Sequence, residues 1–202
     1  MKNLKTVLLI TAILVALFVL NSCTSLENKT RSSSYISVDS LRGVDLSGQP
    51  ADFLQSDVQK IDSATQSSYV TADIALATLT AHTLDPMPDQ GTSQYEDIML
   101  TRYIVRYSRS DGKAVEGLDV PYSFEGALNV LLQIGQNTGV SFVIVREVAK
   151  MEPPLLNLVG KRDAGVLEVK GQVEFYGHDM ANNAVTATGS ISIFFADYIT
   201  AE

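Results

Sequence analysis

Side chains able to do chemistry are few in this 202-residue chain, which has one cysteine, two histidines, and 23 acids against 15 bases. His82, Asp85 and Asp89 fall close enough together to suggest a metal loop. Pro86 and Pro88 lie between them, and the segment reads as a solvated connection. His178 and Asp179 sit in a turn-like stretch with Asn183. Calcium takes oxygen ligands, so Asp179 and Asn183 are weak candidates for a calcium site, although the dense Asp/Asn spacing of a calcium loop is missing. The other reading is a turn in which Asp179 accepts backbone N–H bonds. Arg102 and Arg106 share one face of an alternating segment, opposite Tyr103, Val105 and Tyr107. They suit either cross-strand charge pairing with Glu168, Lys170 and Glu174 or a ligand-binding sheet face. Serine and threonine are abundant, but there is no G-x-S-x-G elbow, phosphate loop, dinucleotide fingerprint or CxxC pair. These residues assign no catalytic group and no cofactor. They lean toward a protein without chemistry of its own, with a loop-built enzyme or ligand site as the alternative.

The single cysteine has a different setting. Lys2 and Lys5 precede an apolar run over 7–20 that only Thr11 interrupts. A spanning helix needs about 20 apolar residues, so this shorter run reads as the core of a signal peptide. Leu20-Asn21-Ser22-Cys23 follows directly and resembles the lipobox of bacterial lipoproteins, with Leu20, Ser22 and Cys23 carrying the match. The resemblance implies a lipoprotein signal peptide over 1–22, acylation of Cys23 with palmitate-type chains, and attachment to a membrane. In many Gram-negative bacteria an Asp after the cysteine retains a lipoprotein at the inner membrane. Thr24 stands there in this chain, which implies the outer membrane. An ordinary secretory signal with an incidental cysteine is the alternative.

Composition narrows the partners. The net charge is −8, and it becomes −10 once Lys2 and Lys5 leave with the leader. Such a chain lacks the clustered cations that phosphate contacts need, which argues against nucleic acid. Anionic lipid would not attract it either, so its hold on a membrane would come from buried acyl methylenes.

The elements that must position these residues are strands. Residues 23–34 carry the lipidation site and a polar stretch with Leu26 as its one apolar side chain, a flexible tether. Fully extended, the 11 residues after Cys23 reach roughly 36–40 Å. Residues 35–202 read as one β-sandwich domain. Over 166–176 the odd positions include Leu167, Val169, Val173 and Phe175, and the even ones Glu168, Lys170, Gln172 and Glu174. The stretch 184–198 alternates in the same way, and period-two alternation marks half-buried antiparallel strands. Residues 177–183 join them as a hairpin loop. Further strands are expected over 35–44, 72–84, 98–107, 128–134 and 140–148, the last more buried, which makes about seven. Phe53, Leu54, Val58 and Ile61 have near-helical spacing and predict one short helix, and 155–159 a single helical turn.

Phe175-Tyr176-Gly177-His178-Asp179-Met180-Ala181-Asn182-Asn183 resembles the last hairpin of bacterial immunoglobulin-like domains, whose recurring turn is Asp-x-Ala-Gly-Asn. Asp179, Ala181 and Asn183 match it, and Asn182 replaces the glycine, at a position expected to need positive φ. The resemblance implies an all-β, immunoglobulin-like antiparallel β-sandwich, here without the disulfide and core tryptophan of antibody domains. The whole arrangement resembles uncharacterised bacterial lipoproteins. The function expected is a lipid-anchored envelope module for binding or scaffolding, with an envelope protein as partner.

Overall fold

The computed structural model describes residues 31–85, 91, 93–161 and 165–198. The expected leader, Cys23 and the expected tether up to residue 30 lie outside them, as does Asp89. Residues 31–202 form one compact unit. Its strands are β1 (Ser34–Val44), β2 (Pro50–Ala51), β3 (Phe53–Asp57), β4 (Lys60–Ile61), β5 (Ser68–Tyr69), β6 (Asp73–Thr83), β7 (Ile98–Ser108), β8 (Phe124–Leu132), β9 (Asn137–Val145), β10 (Leu167–Asp179) and β11 (Ala184–Ala196). One short helix, α1 (Glu147–Lys150), and 3₁₀ turns at Gln94–Glu96 and Leu155–Leu158 complete the described elements.

Two sheets face each other. One has the order β2-β1-β6-β9, the other β3-β11-β10-β7-β8, and β4-β5 forms a small separate ribbon. The neighbours correspond to the A-B-E and G-F-C-C′ sheets of an immunoglobulin-like sandwich. The seven expected strands are the seven long ones. Their alternation places Val169, Val173, Phe175, Ile191 and Ile193 in the core from one sheet, and Ile36, Ala77, Leu79, Phe142 and Ile144 from the other. Phe142 meets Phe175 edge-on across the gap, with ring centroids 5.4 Å apart. The Tyr107 hydroxyl crosses as well and donates to the Ile144 carbonyl at 2.5 Å, so a buried polar atom is satisfied between the layers.

Four expectations need correction. The segment with helical spacing holds two strands instead of a helix: Phe53 and Leu54 lie in β3, which runs parallel to β11 with Leu54 opposite Ile193, and Ile61 lies in β4. Leu54 and Ser56 point inward and are fully buried, while Phe53 and Gln55 face out; the helical interval between Leu54 and Val58 comes from a strand end buried on both sides. The folded part also starts earlier than 35, because Ser32 and Ser34 are buried and the Ser34 hydroxyl donates to the Glu96 carbonyl at 2.7 Å. Strand β10 continues to Asp179, which shortens the last turn. Finally, β9 is the outer strand of its sheet; its apolar end, Ile144 and Val145, is covered nonetheless.

A buried ion pair fastens β3 and α1 to the sandwich. Lys150 is 1% exposed, and its Nζ donates to the Asp57 carbonyl at 2.9 Å and to Asp73 Oδ1 at 3.0 Å. The Ser56 hydroxyl donates to Asp73 Oδ2 at 2.6 Å. Burial pushes the Asp73 carboxyl above the usual range, against the pull of Lys150 and Ser56.

Candidate functional site

The outer face of β1-β6-β9 brings together residues far apart in sequence. Antiparallel pairing sets Tyr35 opposite His82 and Ser37 opposite Thr80, and Thr80 opposite Asn137 on the next strand. The β1–β6 register shifts between Val38 and Ser40, so Asp39 is the extra residue of a bulge. Bulges re-aim side chains, and this one brings the Asp39 carboxylate onto its neighbours. Ser37 Oγ lies 2.8 Å from His82 Nε2 and donates to Asp39 Oδ1 at 2.7 Å. Thr80 Oγ1 contacts Asp39 Oδ2 at 2.5 Å and Asn137 Oδ1 at 2.8 Å. Tyr35 stacks on the imidazole with ring centroids 5.0 Å apart.

This is a serine, a histidine and an aspartate in contact, but in the wrong order for nucleophile activation. A triad needs histidine between serine and carboxylate. Here serine stands in the middle and sends its proton to Asp39. The Thr80 and Ser37 hydroxyls hold that carboxyl below its ordinary range, which makes it a poor base. The network lies on an exposed sheet face, where it fixes the side chains of three strands.

The residues singled out from sequence fall elsewhere. Asp179 is buried and closes the β10–β11 turn, with Oδ1 accepting from Ala181 N at 3.0 Å and Asn183 N at 2.8 Å. Asn183 Nδ2 donates to Oδ2 at 2.9 Å. Burial pulls this carboxyl up, but bonds from Asn183, Ser32 and Ala181 outweigh it and leave it below the ordinary value. N–H donors thus occupy the carboxylate that a calcium ion would need, and the geometry matches the turn reading. Asn182 has φ 67°. His178 lies in the ladder between Met99 and Ala184, apart from His82. Among the described residues no three His, Cys, Asp or Glu side chains converge as metal ligands would.

Arg102 and Arg106 form a closed charge ladder on the outer face of the other sheet. Arg106 Nη1 pairs with Glu174 Oε1 at 2.6 Å, and the Tyr176 hydroxyl contacts Glu174 Oε2 at 2.5 Å. Arg102 pairs with Glu125 of β8 at 3.1 Å and lies 4.1 Å above the Tyr176 ring. Glu168 and Lys170, also expected as partners, take no part in it. Exposed pairs of this kind contribute little to stability, because water and salt screen them.

Lower on the same face is a groove of about 530 Å³ lined by Phe53, Gln55, Val166, Glu168, Phe194 and Tyr198. Sequence reading missed it because Phe53 reaches the face only through the parallel β3–β11 pairing. The Ser37–His82 contact was hidden for a similar reason. Tyr35, Ser37, Thr80 and His82 show as polar alternation in each strand, but nothing local says that β1 lies beside β6. No protein-family model matches the chain, and no curated protein matches it.

Proposed function

We propose that this protein is a binding or scaffolding module of the bacterial cell envelope, anchored through acylated Cys23 at the outer membrane and without catalysis of its own. The observation that carries the reading is the outer face of β1-β6-β9. Tyr35, Ile74 and Leu76 are 46%, 49% and 43% exposed there, on strands held by long ladders and with Ser40 and Thr78 paired between them. Apolar side chains set at both ends of a firm, hydroxyl-lined face suit a protein partner. The lipobox residues supply the attachment, and the acidic charge of the chain leaves acyl chains as its hold on lipid.

The test is site-specific photocrosslinking in intact cells. A photoreactive residue at Leu76 is expected to give a discrete adduct, and one at Thr188 on the opposite sheet is not. Cys23→Ala is expected to abolish palmitate labelling, release the chain from membranes and remove the adduct. Unchanged labelling in Cys23→Ala overturns the anchor, and equal adducts from both faces overturn the surface. A second reading, a surface hydrolase with Ser37 as nucleophile, is favoured by the 2.8 Å contact to His82. A fluorophosphonate probe separates the two, and no labelling of Ser37 is expected.

A further inference from the structure

We propose that the groove formed by β3, β10 and β11 binds a free organic ammonium cation of the trimethylammonium class. It lies on the sheet opposite the face assigned to a protein partner, so the two readings stand or fall separately.

The rings set the shape. Phe53 and Phe194 meet nearly at right angles, with 78° between their planes and centroids 5.9 Å apart. Two perpendicular rings make a corner. A flat sugar ring stacks best on a platform, whereas a rounded cation can touch both members of a corner. Tyr198 supplies a third ring, and its hydroxyl donates to the Phe194 carbonyl at 3.3 Å. A ring face attracts a cation through its quadrupole, and several rings around one ammonium group add their contributions.

Charge selects the guest. Glu168 is the one ionised side chain among the groove's lining residues. It stands directly opposite Phe194 in the β10–β11 register, which brings the two side chains into reach of one another. Among the described residues its carboxylate has no hydrogen-bond or ion-pair partner. Arg109 and Lys170 border a neighbouring pocket that shares Glu168; Arg109 is paired with Asp111, and among the described residues no ion pair joins Lys170 to Glu168. A carboxylate with no ion-pair partner among the described residues, beside an aromatic corner, complements a positive, weakly hydrated group. The net charge of −8 also draws cations toward the protein. The groove's volume of about 530 Å³ is of the size that holds one small molecule.

The experiment is calorimetric titration of the full chain, in a maltoside detergent, with tetramethylammonium chloride, choline, and 3,3-dimethylbutan-1-ol as the uncharged isostere of choline. Saturable binding of both cations is expected, with the neutral isostere markedly weaker. Glu168→Gln should weaken cation binding about fivefold, the loss of one charge interaction in a solvated setting. Phe194→Leu should weaken it about threefold, the contribution of one ring. Glu168 is exposed, so Glu168→Gln should keep the parent melting temperature, and binding lost there is not misfolding. Equal binding of choline and its isostere overturns the proposal, because the groove is then merely apolar. A groove silent to all three probes, as when another segment or a second copy covers it, also overturns it. So does binding to phosphatidylcholine vesicles without binding to free choline.

Discussion

Asp179 shows how one carboxylate sets a turn. It answers the N–H groups of Ala181 and Asn183 and the Asn183 amide. Asp179→Ala removes the acceptor and strands these donors, which should cost about 1–3 kcal/mol in chemical unfolding. The pH dependence has a definite sign. The folded carboxyl lies below its ordinary value of 3.8, so its stabilisation is complete above that value and is lost as pH falls through the lower, folded one. Melting temperatures followed into that acid range should fall more steeply for the parent than for Asp179→Asn. Asn182 is the neighbouring case. At φ 67°, Asn182→Gly should be neutral or slightly stabilising, and Asn182→Val should cost about 1–2 kcal/mol, the steric penalty of a left-handed backbone. This position was legible because a turn's chemistry is local: the Asp, the Ala and the residue needing positive φ lie within five positions. The Ser37–His82–Asp39 contact was not, since it needs a strand pairing and a bulge that no short stretch encodes.

At the scale of elements, most of the long strands were legible because each buries one face, and burial on one side writes a period of two into the residues; β9, covered on both faces at its end, was legible as an apolar run instead. Strand β3 broke that rule. Five residues are too few to establish a period, and the burial of Asp57 and Val58 at its end imitates a helical interval. What holds β3 is equally absent from the local sequence. Lys150 of α1 reaches Asp57 and Asp73 from a helix of one turn. Lys150→Met leaves the Asp73 carboxylate buried without its cation, which should destabilise the fold by about 3–5 kcal/mol. The double variant Lys150→Met, Asp73→Leu should recover a large part of that loss, since an apolar pair of similar volume carries no desolvation cost. Denaturant titration of the single and double variants separates the pair from mere packing. Gly43 supplies a further check on β3. A Cβ there would lie 2.7 Å from Leu54 Cβ and from the Phe53 carbonyl oxygen, so Gly43→Ala should push β1 and β3 apart and lower the melting temperature.

At the scale of the whole molecule, residues 31–202 share one core between two sheets. A chain beginning at Arg31 should therefore unfold in a single calorimetric transition, with equal calorimetric and van't Hoff enthalpies. Two separate transitions would mean that the sheets fold independently. The parallel pairing of β3 with β11 adds a constraint in time. Phe53 meets Ser192 and Asp57 meets Ala196, and the Tyr198 N–H bonds to Asp57 at 3.2 Å. A chain made or threaded across a membrane from its N-terminus has to carry β3 unpaired until β11 has emerged. The barrier to folding then includes closure of the long loop from Phe53 to Ser192, which slows the search, and any premature stop before β11 leaves two orphaned edges open to aggregation. The arrival of β11 is thus itself the signal that lets the sandwich shut.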